Sequence, residues 1–276
     1  MTYAFGLNGR NVMVTGGASG IGWCCVEALT RDGANVVIVD INAEGAEKAA
    51  ETVRARGGRA LALSFDVRDT AATEEAFSRA EAEMGPLDGL VAAAGIARSA
   101  PATEVTSDLW EAVIGVNLTG LFYTVQAAGR RMVARGRGSI VTIGSTSSIG
   151  GQAGRAAYCA AKAGVVGLTK DLAIEWGSYG VRINAVGPSV TDTPMVRNGL
   201  PEKFLTDVVA ERTPLGRLGM PEEVANTCLF LLSDLSSYIT GTLLMVDGGV
   251  SSGFFTAQNG RDLSSKAMLA AGKYKE

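Results

Sequence analysis

The chain predicts an α/β fold, a single doubly wound parallel sheet with helices on both faces. Three observations carry that. Short apolar runs of strand length alternate with longer helical patterns along almost the whole sequence. The runs read as strands buried in a parallel sheet. A glycine cluster, Gly16-Gly17-Ala18-Ser19-Gly20-Ile21-Gly22, falls where the first strand turns into the first helix. The 276 residues suit one large domain over 1–276, with 250–276 as a tail beyond the last strand.

The elements follow in order. Asn11 to Thr15 is the first strand, Trp23 to Arg31 a helix with Gly33 at its C-terminal cap, and Val36 to Asp40 the second strand. Ala43 to Arg56 is helical and stops at Gly57-Gly58. Ala60 to Phe65 is a strand closing on Asp66-Val67. Thr70 to Met84 is a helix ended by Gly85-Pro86, and Leu87 to Ala94 a strand ending at Gly95. Ser107 to Met132 keeps helical pattern around Asn117-Leu118-Thr119-Gly120. Gly138 to Gly144 is a strand with Ser145 to Ser148 behind it, and Ala156 to Trp176 is a helix. Arg182–Val186 is a strand and Gly187–Met195 a loop. Pro201–Glu211 and Pro221–Leu232 are helical, and Leu243–Val246 is the last strand.

A glycine turn between a strand and a helix lets a pyrophosphate approach the backbone, with the helix N-terminus facing the anion. Gly16, Ser19, Gly20, Ile21 and Gly22 are therefore candidate dinucleotide contacts. Asp40 ends the second strand eighteen positions after Gly22. A carboxylate there receives the adenosine ribose hydroxyls and repels a 2′-phosphate. Two unit charges ~4 Å apart interact by ~4 kcal/mol at an effective dielectric of 20. Nothing basic stands at Ala18, Ser19, Ile41 or Asn42 to offset it, so the expectation is NAD over NADP. Asp66 and Val67 are expected beside the adenine ring, and Gly95 at the end of its strand.

Composition removes several alternatives. With 25 basic and 28 acidic residues and a net charge of -3, nothing favours nucleic acid or an anionic membrane surface. No apolar run reaches the ~18 residues of a membrane span, and residues 1–10 lack a signal pattern. The expectation is a cytoplasmic protein. Histidine is absent, which excludes Ser-His-Asp and Cys-His mechanisms and His-ligated metal; no metal site is expected. Cys24, Cys25, Cys159 and Cys228 form no C-x-x-C pair and read as reduced thiols.

Acid–base chemistry must then use Tyr, Lys, Asp, Glu or Cys. Tyr158 and Lys162 stand at i, i+4, on one face of a helix. A phenol has a pKa of about 10, so ionising it at neutral pH costs roughly 4 kcal/mol. A nearby cation lowers that pKa by ~1–3 units. The pair thus reads as a base, against the alternative of an ordinary amphipathic pair with a snorkelling lysine. Ser145 lies thirteen residues before Tyr158 at a strand end, the edge where doubly wound sheets bind ligands. Ser147 and Ser148 are alternatives to it.

These motifs together resemble the classical short-chain dehydrogenase/reductase family. Thr15-Gly16 through Gly20-Ile21-Gly22 is similar to its cofactor turn, Asn117-Leu118-Thr119-Gly120 to its Asn motif, and Ser145, Tyr158 and Lys162 to its active-site residues. Pro188 to Thr193 is similar to its nicotinamide-side loop, and the likeness spans Leu7 to Gly249. The resemblance implies a Rossmann-type sheet and Tyr158 as general base or acid. It implies Lys162 lowering the Tyr158 pKa and binding the nicotinamide ribose, Ser145 orienting the substrate oxygen, and Asn117 holding a water that links Lys162 to solvent. Pro188, Val190 and Thr193 line the nicotinamide side, Thr193 on the carboxamide. A homotetramer is implied, a homodimer being the alternative.

Two departures stand out. Ala92-Ala93-Ala94-Gly95 replaces the usual Asn-Ala-Gly, and Ser189 follows Pro188 where glycine is usual. The substrate pocket is expected between Ser147–Arg155, Ile96–Arg98 and residues 189–211, with Arg98 and Arg155 meeting either solvent or an anionic substrate. The implied reaction joins a secondary alcohol (polyol, sugar or hydroxysteroid-like ring) to its ketone. A 3-oxoacyl thioester reductase is the close alternative, and a non-enzymatic NAD-binding regulator the alternative of another class. An enoyl reductase of this superfamily would space its Tyr and Lys more widely. Phe254-Phe255 in the tail reads as a lid or a crossing to a neighbouring subunit.

Overall fold

The computed structural model describes residues 5–253, together with 257–258, 261–262, 270 and 272. Seven strands form one parallel sheet: β1 (Asn11–Thr15), β2 (Asn35–Val39), β3 (Ala60–Leu63), β4 (Gly89–Ala92), β5 (Gly138–Ile143), β6 (Val181–Pro188) and β7 (Leu243–Val246). Their order is β3-β2-β1-β4-β5-β6-β7. The chain winds outward from β1 to β3, then returns to start its second half on the other side of β1. The crevice beyond the C-terminal ends of β1 and β4 is the topological switch point. Register brings Thr15 opposite both Val39 and Ala92 there.

Alternate strand residues feed two cores, as the two-residue period of a strand requires. Val12, Val14, Val36, Ile38 and Val91 face one layer, where Cys25, Leu29, Cys228 and Leu229 come from α1 (Gly20–Arg31) and α9 (Pro221–Leu232). Met13, Val37, Val39 and Leu90 face the other, with Phe77, Val125, Met132 and Val165. Those side chains lie on α3 (Thr70–Met84), α5 (Leu121–Arg135) and α6 (Ala156–Trp176). Caps set the helix starts: Asn42 accepts from the Gly45 amide at 3.0 Å to begin α2 (Ala43–Ala55), and Asp69 accepts from Ala71 and Ala72 at the start of α3.

The helix expected at Ser107–Met132 runs to Arg135. It comprises α4 (Ser107–Ile114), a six-residue π-helical turn at Gly115–Gly120 centred on Asn117, and α5. By length and composition this helix is apolar enough to cross a membrane, which the sequence reading did not see. Half of that stretch is buried inside this fold, against α3 and α6. The loop expected at Gly187–Met195 contains the start of a short helix, α7 (Pro194–Gly199), capped by Thr193 with Pro194 in its first turn. The next helix, α8, spans Glu202–Arg212. Phe254 and Phe255 lie outside the described residues. β8 (Ala257–Gln258) and β9 (Arg261–Asp262) pair antiparallel in the tail.

Candidate active site

The glycine turn is shaped by contacts that exclude side chains. A Cβ on Gly22 would lie 2.1 Å from the Gly16 carbonyl oxygen, and one on Gly16 would lie 2.9 Å from the Ala94 backbone. Gly16 and Gly20 also take positive φ, +66° and +54°, which L side chains rarely adopt. The turn therefore packs directly on the end of β4. The Ala92-Ala93-Ala94 run is tied to β1 by its backbone amides. The Ala93 amide donates to the Thr15 carbonyl at 3.2 Å and the Ala94 amide to the Thr15 hydroxyl at 3.3 Å.

From this turn a groove of about 310 Å³ runs along the sheet edge. Of the residues expected at the site, Gly16, Ser19, Gly20, Ile21, Gly22, Asp40, Asp66, Val67, Gly95, Asn117, Tyr158, Lys162 and Thr193 line it. Pro188, Val190 and Ser145 do not. Pro188 is buried at the end of β6, and the Val190 carbonyl accepts from the Gly219 amide at 3.1 Å. Ser189, the other departure, ties this loop to β7: its hydroxyl donates to the Asp247 carbonyl at 3.2 Å.

At one end of the groove the Asp40 carboxylate is held by the amides of Ala18 (3.2 Å) and Asn42 (3.1 Å). Asp66 pairs with Arg68 at 2.5 Å, and that side-chain hydrogen bond holds its carboxyl below the usual range. Arg68 also lines the groove, a cation the sequence reading did not place there. Val67 packs so closely on Gly120 that a Cβ at Gly120 would meet it at 2.6 Å. That contact explains the glycine closing the Asn motif.

At the other end, β5 and α6 deliver the chemistry. Lys162 is buried, and its Nζ donates to the Ile143 carbonyl at 2.7 Å. Nζ also lies 5.6 Å from the Tyr158 ring centroid. Burial pulls the ammonium down to about 8. Tyr158 moves the other way. Burial raises its pKa, while the Ser145 hydroxyl, through a side-chain hydrogen bond, and the Arg155 charge pull it down. The expectation of a phenol lowered overall is not met in this arrangement, although Lys162 stands beside the ring. Desolvation outweighs the downward pulls, and the cation among those pulls is Arg155.

Of the three candidate serines, Ser148 is committed to backbone. It donates to the Lys162 carbonyl at 2.8 Å and accepts from the Ser145 amide at 3.1 Å. Ser147 donates to the Gln152 side chain at 3.4 Å. Ser145 is the one whose hydroxyl meets the phenol. Asn117 is fully buried. Its Nδ2 donates to the carbonyls of Ile96 and Val113, both at 2.9 Å, and its Oδ1 accepts from the Ile96 amide at 3.3 Å. Both amide protons are thus spent on backbone, and Oδ1 keeps one lone pair. A Cβ on Gly95 would lie 2.8 Å from that oxygen, so glycine is required there. The Ile143 and Ile96 backbone contacts have no sequence signal.

A buried ammonium beside a phenol, on a groove that a glycine turn also lines, suits proton transfer coupled to hydride transfer at a carbinol carbon. The chain belongs to the short-chain dehydrogenase/reductase family and is an oxidoreductase acting on CH–OH groups. A sequence model of that family, described as enoyl-(acyl carrier protein) reductase, matches residues 16–251. The cis-4-hydroxycyclohexanecarboxylate dehydrogenase of Sinomonas cyclohexanicum is 45% identical over 241 residues, 87% of this chain and 96% of that protein. The D-threitol dehydrogenase of Mycolicibacterium smegmatis is 39% identical over 247 residues, 90% of this chain and 95% of that protein. Among solved structures, a gluconate 5-dehydrogenase from Burkholderia cenocepacia, in complex with NADP and tartrate, superposes with a TM-score of 0.88 at 37% identity. That match covers 92% of this chain and 99% of the other.

Proposed function

We propose that this chain is an NAD(H)-dependent dehydrogenase that interconverts a secondary alcohol and its ketone, with Tyr158 as the acid–base residue. The observation that carries the reading is convergence. Tyr158, hydrogen-bonded to Ser145, and Lys162 line the same groove as the glycine turn and Asp40.

The residues present fit a dinucleotide. Side chains are excluded at Gly16, Gly22 and Gly95, where backbone must come close to other groups, and the groove links that turn to Lys162. The turn would hold the pyrophosphate, Asp40 the adenosine ribose, Asp66 and Val67 the adenine side, and Lys162 and Thr193 the nicotinamide half. When bound, the nicotinamide supplies the hydride acceptor or donor. Preference for NAD rests on Asp40, whose carboxylate two amides fix at the strand end; a 2′-phosphate brought there would meet it.

In alcohol oxidation the Tyr158 oxygen takes the carbinol proton, and in reduction its phenol returns one. Ser145 donates a hydrogen bond to the substrate oxygen and orients it. Lys162, held on the Ile143 carbonyl, keeps positive charge beside the phenol below about pH 8. Asn117 fixes Ile96 and Gly95, leaving one Oδ1 lone pair for a water that passes the proton onward. The raised phenol pKa sets the direction with pH: oxidation needs the ionised form and rises toward alkaline pH. A cytoplasmic homotetramer completes the proposal, and light scattering in solution tests the assembly.

The functional test is a screen of secondary alcohols and ketones with both cofactors, followed by NADH absorbance, on wild type and Tyr158→Phe. The variant keeps cofactor binding and loses turnover by about 10²–10⁴-fold, the usual contribution of a general acid–base group. Undiminished turnover removes Tyr158 from the mechanism.

A further inference from the structure

We infer that Arg155 is a specificity-determining residue that selects substrates carrying a carboxylate, making this enzyme a dehydrogenase of hydroxy acids rather than of neutral alcohols. The inference rests on the reading of the reaction above and narrows its substrate class.

The arginines of this chain are mostly spent on carboxylates, with Arg54, Arg79, Arg131 and Arg217 among those paired. Arg155 is not: among the described residues no carboxylate lies within ion-pair distance of it. It is only part-exposed, and its guanidinium carbon sits 5.8 Å from the Tyr158 ring centroid. A surface arginine with no partner, such as exposed Arg98, turns into water. Arg155 instead stands against the ring of Tyr158, the acid–base group of the proposed reaction.

Its backbone is fixed in that place. The Gly154 carbonyl accepts from the Ala100 amide at 3.0 Å, tying this segment to the loop after β4. The Arg155 amide donates to the Gln152 carbonyl at 3.1 Å, and the Arg155 carbonyl accepts from the Cys159 amide at 2.8 Å. Gln152 in turn accepts from Ser147. Beside Tyr158 this segment thus carries a guanidinium, with the Gln152 amide and the Ser147 hydroxyl bonded to each other nearby. Lys162 lies on the same ring at 5.6 Å, and the carboxylates of the groove, Asp40 and Asp66, line it with the glycine turn. A guanidinium presents a planar fork that matches a carboxylate and binds it more strongly than it binds neutral acceptors. A neutral ligand would leave this cation without a counter-charge when it displaces water.

The test uses a probe that does not react. Isothermal titration calorimetry compares cyclohexanecarboxylate with cyclohexanecarboxamide on the full chain with NADH present, for wild type, Arg155→Gln, Arg155→Lys and Arg98→Gln. The acid binds wild type and Arg98→Gln about tenfold or more tightly than the amide does. The preference falls to about twofold or less in Arg155→Gln and returns in part in Arg155→Lys. The inference is overturned if acid and amide bind wild type alike, if neither binds, if the preference survives Arg155→Gln, or if Arg98→Gln abolishes it equally. The wild-type comparison decides without any variant that fails to fold. Failure of the reaction reading looks different: the acid preference persists while no secondary alcohol, charged or neutral, is oxidised.

Discussion

Replacing Lys162 with methionine tests both the electrostatics and the chemistry of the site. In the native state burial brings the ammonium down from 10.5 to about 8, and its Nζ hydrogen bond runs to the Ile143 carbonyl. The unfolded chain binds this proton more tightly than the folded one. Below about pH 8 both states are protonated and folding carries the full penalty, about 3 kcal/mol for a shift of this size. Above it the folded lysine is neutral while the unfolded one is still charged, so native stability rises with pH at roughly 1.4 kcal/mol per unit. The penalty is gone once pH passes the unfolded value. Methionine fills a similar volume without a charge but orphans the Ile143 carbonyl, which costs about 1–3 kcal/mol at every pH. The two proteins are therefore of similar stability near neutrality. Wild type then gains about 2 kcal/mol on the variant between about pH 7 and about pH 9.5. Urea melts of both proteins at one fixed concentration, repeated across that range, measure the difference directly. Parallel stability curves would refute the reasoning, because they would mean that Lys162 ionises in the folded chain as it does in water. Turnover by Lys162→Met is lost throughout, so the residue carries a stability penalty near neutral pH in return for catalysis.

Removing the Asp40 carboxylate by Asp40→Ala narrows the NAD-to-NADP ratio of kcat/KM by about ten- to a hundredfold, the order expected for a partly screened charge pair. An unchanged ratio would assign discrimination to some other group, and Arg68 on the same groove is the first to examine. Gly22→Ala would put a Cβ 2.1 Å from a backbone oxygen. The turn must open, stability falls by about 1–3 kcal/mol or more, and NADH binding followed by fluorescence is lost. Native-like affinity in a folded Gly22→Ala would mean that the close backbone approach is not what shapes the nucleotide site.

The sheet was legible because its strands are buried on both faces. Runs such as Val36-Val37-Ile38-Val39 have little other place to go, and the glycines after β1 can only serve a turn packed on the neighbouring strand. The Tyr158–Lys162 pair was legible for a related reason, since helical spacing fixes which side chains share a face. Spacing says nothing about solvation, however, and there the reading of the sequence went astray. It assigned the downward pull on Tyr158 to Lys162, its neighbour along the helix. Lys162 does stand beside the ring, but burial acts on both groups, raising the phenol and lowering the ammonium to about 8, so the net shift of Tyr158 is upward. The same gap hid α7, whose Pro194 suits a loop or a helix N-terminus equally until the Thr193 cap is formed. It also hid the backbone carbonyls of Ile143 and Ile96, on which Lys162 and Asn117 depend. Which residues meet is written in periodicity. How strongly their charges act depends on how much water the tertiary fold leaves around them, and that decides whether this phenol serves as a base near neutrality or only in alkali.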